Sequence, residues 1–203
     1  PGEGNVIGGN SNGVVITSPA SVDNVVASNH IGVLPDGVTP VPNEATGVFV
    51  SNSGGNVIGG IDANDGNAIA HNGGPGVAIQ AIPVFSHDKL ILGNSIFSNG
   101  GLGIDLDDDG VTLNDPGDAD DGANSLQNYP LLQSAISDGL ETTIAGTLNS
   151  APNTGFRIQF FANDECDPTG YGEGQDLIGE TVVTTDGSGD DTIDVSLPAG
   201  TIG

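Results

Sequence analysis

Along the first half of the chain, apolar positions come in short runs that alternate with small or polar residues and are punctuated by Gly, Asn and Asp. An alternation of period two puts one side of each run against an interior and the other toward water, the pattern of a half-buried strand. Two units recur. One is G-[VL]-x-[IV]: GVVI from Gly13, GVFV from Gly47, GVAI from Gly76 and GLGI from Gly101. The other is N-x-[IV]: NVIGGN from Asn5, NVVASN from Asn24, NVIGG from Asn56, NAIAHN from Asn67 and NSIFSN from Asn94. Successive glycine starts lie 34, 29 and 25 residues apart, and the first interval holds a Pro-rich excursion, VLPDGVTPVPNEA, from Val33 to Ala45. Without it that interval falls to 21 residues. A period in the low twenties with variable insertions predicts a solenoid whose coils are short strands joined by turns. The repeated asparagines should stack as amide ladders at the strand spacing of ~4.8 Å, with glycine at coil corners where φ turns positive.

Past Asn128 the repeat stops. Five runs read as strands separated by turn-rich loops: Leu131 to Ile136, Thr142 to Leu148, Phe156 to Ala162, Asp176 to Thr184 and Thr192 to Leu197. This spacing predicts a small antiparallel sandwich of immunoglobulin-like type. The expected organisation is therefore coils over 1–106, an acidic junction over 107–130 and a sandwich over 131–203. NVIGGN at Asn5 matches the middle of the coil that starts at Gly47, and a final sandwich strand is not found before Gly203, so the chain is expected to continue into further domains of a longer protein.

The G-V-x-I and N-x-[IV]-x-x-N units resemble those of right-handed parallel β-helix proteins of pectate-lyase-like architecture, especially large secreted or surface proteins of bacteria. The 131–203 segment, with its loop NDECDPTGYGEGQ, resembles the sandwich modules that follow β-helices in such proteins. The resemblance implies an all-β fold, a right-handed parallel β-helix followed by a small antiparallel β-sandwich, and an extracellular or cell-surface location.

Charge changes the picture of partners. The 27 acidic residues stand against Lys89 and Arg157, a formal net charge of −25. Nothing neutralises phosphate, so nucleic acid is excluded, and anionic membranes or polyanionic substrates are disfavoured. No apolar run approaches the ~18 residues of a membrane span, and membrane insertion is not expected. Such self-repulsion is tolerable where cations are abundant. Cys166 is the single cysteine, reads as a small half-buried residue, and supplies no disulfide framework.

Between Asp105 and Asp121 stand eight aspartates with no Lys or Arg. Asp105, Asp107, Asp109 and Gly110 form D-x-D-x-D-G, in which alternate carboxylates on a turning backbone converge on a hard cation. Position twelve of that loop is Pro116 where an EF-hand has a bidentate Glu, so it is not an EF-hand. Asn114, Asp115, Asp118, Asp120 and Asp121 instead continue the acidic spacing and resemble the calcium-threaded Asp repeats of thrombospondin type 3. These eight residues, Asp105 through Asp121, are the expected metal ligands, with calcium as the ion. GGLGID also resembles the calcium-binding β-roll nonapeptide, but Asp107 falls where that pattern needs an apolar residue, so a coil corner is preferred. A second acidic group, Asp164, Glu165, Asp167, Glu173 and Asp176, reads as a solvated loop.

Catalytic parts are scarce. A calcium-dependent lyase needs a basic group beside its substrate, and only Lys89 and Arg157 exist. Glycoside hydrolysis needs two carboxylates ~5 to ~10 Å apart across a groove, and Asp62, Asp65 and Asp88, with Glu3 and Asp23, are the repeat-region candidates. Ser86, His87 and Asp88 are adjacent in an extended run and cannot form a relay. Stacking could bring His30 near His71, although a ladder or turn position suits both better. The expected role is a non-catalytic, calcium-stabilised extracellular module, a stalk, spacer or adhesive surface, with extracellular polysaccharide or a surface protein as partner. The alternative is a carbohydrate-active or carbohydrate-binding β-helix.

Overall fold

A computed structural model describes residues 4–62, 64–81, 89–167 and 169–198. The fold is all-β: a parallel β-helix, then a small antiparallel sandwich. Eleven short strands deal themselves in turn onto three parallel sheets. The first sheet stacks β1 (Val6–Ile7), β4 (His30–Ile31), β7 (Ala68–Ala70) and β10 (Ser95–Phe97). The second stacks β2 (Val14–Thr17), β5 (Val48–Ser51), β8 (Val77–Gln80) and β11 (Ile104–Leu106), and the third β3 (Val25–Val26), β6 (Val57–Gly59) and β9 (Leu90–Leu92).

Register turns the sequence alternation into rows. Ile7, Ile31, Ile69 and Ile96 stack inward on the first sheet, Ile16, Val50, Ile79 and Leu106 on the second, and Val26, Ile58 and Ile91 on the third. Ile31, Ile58, Ile69 and Ile79 are fully buried. β-Branched side chains suit this stacking because their single χ1 well is already the one a pleated surface accepts.

The expected amide ladders are present as three rows. In one, Asn10, Asn43 and Asn72 each direct both the backbone N–H and Nδ2 at Oδ1 of the next asparagine, ending on Asn99, at 2.8 to 3.4 Å. In the second, Asn5, Asn29 and Asn67 do the same toward Asn94, at 2.8 to 3.2 Å. The third joins Asn24 to Asn56; above it Lys89, buried, takes the rung position, its N–H donating to Asn124 Oδ1 while Asn124 Nδ2 donates to its carbonyl. Each side chain thereby satisfies turn N–H and C=O groups that the strands cannot. The left-handed backbone lies one residue before the rung, at Gly9, Asp23, Ser28, Gly55, His71, Gly93 and Ser98.

Two details of the repeat differ from the sequence expectation. The fourth strand of the second sheet starts from Gly103, not Gly101: Ile104 faces Val77 and Gly76 N donates to Leu102 O. Asn43 to Gly47, Asn72 to Gly76 and Asn99 to Gly103 keep a constant spacing, and the ladder, not the GLGI match, sets the register. The Pro-rich excursion is also shorter than it reads. Val33 and Pro40 bridge to close it, and Asn43, Glu44 and Ala45 rejoin the coil, with Asn43 fully buried as a rung. Prolines there mark the turn without removing the coil that follows.

His30 lies opposite Val6 and Ala68, whereas His71 sits in the corner after β7 and packs edge-on to Phe97 at 5.7 Å. Register therefore does not stack the two imidazoles. Ser86, His87, Asp88 and Glu3 lie outside the described residues.

The second half contains the five expected strands. β12 (Leu131–Ser137), β13 (Glu141–Asn149) and β16 (Asp190–Pro198) form one antiparallel sheet, and β14 (Gly155–Ala162) with β15 (Asp176–Thr184) the other. Ile144, Leu148, Ile158, Phe160, Val183, Ile193 and Leu197 form its core. β12 is an edge strand whose residues are all exposed.

The chain divides into two compact units. One comprises Pro1–Val111, Gly122–Ser125 and Asn163–Asp176; the other comprises Thr112–Asp121, Leu126–Ala162 and Leu177–Gly203. The acidic stretch is thus shared out in sequence, with Asp105, Asp107 and Asp109 in the first unit and Asn114, Asp115, Asp118, Asp120 and Asp121 in the second.

Candidate metal centre

The second unit holds the acidic side chains that converge. Oxygens of Asp115, Asp118 and Asp120 all lie within 4.8 Å of one another, and among the described residues this is the cluster able to hold a metal ion. A turn makes it: Gly117 (φ 75°) and Asp118 (φ 56°) adopt left-handed backbone, and Asp118 N donates to Asp115 O at 3.3 Å. Two consecutive left-handed residues reverse the chain within the run NDPGDAD, so carboxylates three and five positions on from Asp115 return to it.

Uncharged neighbours fix the turn. Asn128, buried, donates its N–H to Asp118 Oδ1 at 2.8 Å and its Nδ2 to Asp115 O at 2.7 Å and Asn149 O at 2.9 Å, while its Oδ1 accepts Asp115 N at 3.1 Å. Ser150 Oγ donates to Asp118 Oδ2 at 2.7 Å, and Gly117 N donates to Asn149 Oδ1 at 2.8 Å. Both Asp115 oxygens accept Ala119 N, at 3.1 and 3.2 Å. Asn114 closes the base of the loop, giving Nδ2 to Tyr129 O at 2.8 Å and taking Tyr129 N at 3.0 Å. Asn128, Asn149 and Ser150 were not legible as site residues, since an amide or hydroxyl distant in sequence carries no acidic signature.

Asp120 is different. Its Oδ1 is buried and accepts no hydrogen bond from the described residues. Burial, and then the charges of Asp115 and Asp118, push its carboxyl above the ordinary aspartate value of 3.8. A buried carboxylate oxygen without a donor is costly unless a cation or a proton meets it. The donor set is all hard oxygen, which suits calcium or magnesium rather than zinc or copper. The residues present therefore fit a hard divalent ion.

In the first unit, Asp105 is buried on β11 at the outward register position of Ala78, and its Oδ1 accepts Gly110 N at 3.3 Å. Burial raises its carboxyl above the usual value. Asp107, left-handed at φ 71°, accepts Ala81 N at 2.9 Å and Ala123 N at 3.3 Å on one oxygen, and Asp109 is exposed. Asp121 is exposed in the second unit.

In the second acidic group three of the five side chains accept hydrogen bonds from nearby or distant residues. Glu173 Oε1 accepts Asn99, Asp164 Oδ2 accepts Gln175 Nε2 at 3.1 Å, and Asp167 accepts Thr169 N at 2.7 Å. Hydrogen bonds from Thr169 hold the Asp167 carboxyl below its ordinary value. Asp62 and Asp65 share one turn, Asp65 N donating to Asp62 O, and do not face each other across a groove. Cys166 is exposed rather than half-buried. Among the described residues no helix is long and apolar enough to cross a membrane. No protein-family model matches the chain.

Proposed function

We propose that this chain is a non-catalytic, calcium-stabilised module of a secreted or surface protein, serving as a stalk, spacer or adhesive surface. The observation that carries the reading is the convergence of Asp115, Asp118 and Asp120 with Asp120 Oδ1 buried and without a donor. Three carboxylates, with backbone carbonyls and water, would supply the six to eight oxygens calcium takes. Calcium at extracellular, millimolar concentration also suits a chain of net charge −25. The ion's task in this reading is structural, neutralising the turn at the base of the sandwich. Affinity for polysaccharide or a protein surface belongs to the same proposal.

Thermal unfolding tests it: the melting temperature should rise with millimolar calcium, rise less with magnesium at equal concentration, and return to baseline with chelator. Indifference to calcium rejects the reading. A screen for reducing-sugar release on neutral and acidic glycans should show no turnover; sustained release would favour the carbohydrate-active alternative.

A further inference from the structure

In the third sheet the residue after each rung opens a strand: Val25 follows Asn24, Val57 follows Asn56 and Leu90 follows Lys89. Asn124, the rung above Lys89, is not followed by a strand. Instead Asn124 (φ 47°), Ser125 (φ 56°) and Leu126 (φ 49°) run left-handed, three successive residues of which none is glycine. An L-residue enters that region singly in turns, and a run of three persists only where its two ends are over-determined. Here both ends are fixed. On the first side Ala123 is fully buried in the apolar interior and donates its N–H to Asp107 Oδ1 at 3.3 Å, while Asn124 Oδ1 accepts Lys89 N at 3.1 Å and Asn124 Nδ2 donates to Lys89 O at 2.9 Å. On the second, Gln127 Nε2 donates to Ser150 Oγ at 2.8 Å, and the buried Asn128 gives its N–H to Asp118 Oδ1 and its Nδ2 to Asp115 O. The last rung of this sheet and the staple of the acidic turn are thus two asparagines four residues apart, joined by strained backbone.

We propose that the 123–128 segment is a strained latch through which the acidic turn governs the last rung of the third sheet. The left-handed run stores backbone energy that is released when either clamp opens. Asn128 is the clamp that depends on charge: it holds Asp118 through the carboxylate and Asp115 through the carbonyl, and Asp115, Asp118 and Asp120 repel one another when no cation lies among them. Repulsion that spreads the turn loosens Asn128, the run relaxes toward ordinary backbone, and Asn124 leaves Lys89. A cation that draws the three carboxylates together does the reverse. The link is covalent, since Ser125 belongs to the first compact unit and Leu126 to the second. Occupancy of the acidic turn therefore reaches the stacked coils through this short run of chain, as a change in the population of a closed rung. Control by a cation rests on the metal reading above, whereas the mechanical link rests on the hydrogen bonds alone.

Amide hydrogen exchange resolved by NMR follows the rung directly, because Lys89 N–H is the donor that Asn124 accepts. Millimolar calcium should slow exchange at Lys89 by about tenfold while leaving Ala68, whose N–H donates to Asn29 O on the first sheet, unchanged. Asn128→Ala, with no ion added, should speed exchange at Lys89 by about tenfold and again spare Ala68. The double variant Ser125→Gly, Leu126→Gly, in which glycine takes positive φ without strain, should keep the calcium-induced rise in melting temperature but cut the calcium effect at Lys89 to under about twofold. Circular dichroism establishes that each variant is folded. Should Asn128→Ala not fold, Ser150→Ala, which removes the acceptor of Gln127 and the donor to Asp118, carries the same expectation. Calcium that raises the melting temperature without slowing Lys89 overturns the latch and leaves the metal reading standing. Calcium without effect on either overturns the metal reading and control by a cation with it, and Asn128→Ala then decides the mechanical link. Unaltered Lys89 exchange in folded Asn128→Ala overturns that link, as does an equal change at Ala68, which would mean that the whole unit loosens.

Discussion

At residue scale the arrangement turns on where a single polar atom finds its partner. Asp120 Oδ1 has none among the described residues, and its carboxyl is raised above 3.8 by burial and by Asp115 and Asp118. A folded value above the unfolded one means that the metal-free protein holds that proton more tightly than the unfolded chain. Stability from this group is then complete below pH 3.8 and is lost as pH rises through the folded value. A bound cation removes the loss, so the calcium-induced rise in melting temperature should be larger at pH 7 than near pH 4, as calorimetry at both values would show; an equal or larger rise near pH 4 contradicts this. Asp120→Asn should abolish most of the calcium-dependent rise while leaving the calcium-free melting temperature unchanged or higher, because a like charge has gone. Asn72 is the counterpart in the first unit. It is buried and donates to Asn99 Oδ1, Ile31 O and Ala70 O. Asn72→Ala should cost about 2 to 4 kcal/mol of unfolding free energy, against under ~1 kcal/mol for Asn5→Ala at the exposed end of its row.

At the scale of elements, the strands are two to four residues long in the helix and have little stability of their own. They persist because rows of Ile and Val from successive coils bury one another. Close stacking also explains the repeat glycine. A Cβ on Gly47 would lie 2.6 Å from both Gly76 O and Ile69 Cγ2, and 2.9 Å from Asn72 Nδ2. Gly47→Ala should therefore destabilise the first unit by about 2 kcal/mol or more through overpacking, measured by chemical denaturation, whereas Gly37→Ala in the excursion, with nothing within 4 Å, should cost only the strain of a left-handed Ala at about 1 kcal/mol. Equal losses at the two positions would mean that coil spacing does not demand the glycine. The sandwich strands were legible almost to the residue because their alternation is strong over nine positions, as in ETTIAGTLN. The G-[VL]-x-[IV] pattern places the fourth coil two residues early because GLGI at Gly101 imitates the unit just ahead of the true GIDL at Gly103.

For the whole molecule, the net charge of −25 sets how it behaves with salt, and both units should gain stability on raising NaCl from 10 to 150 mM as repulsion is screened. Sequence alone determined the all-β class, the parallel stack with its asparagine ladders, the five later strands, and the stretch in which acidic oxygens would gather. Those follow from periodicity and residue chemistry, which are local properties. Tertiary structure decided which acids actually meet: Asp115, Asp118 and Asp120 converge because two left-handed residues reverse the chain and Asn128 and Ser150 hold it reversed. It also placed Glu173 as the last rung on Asn99, 74 residues away in sequence. Neither could be read from spacing, because contacts between distant segments depend on chain reversals and on amide and hydroxyl partners that leave no periodic trace.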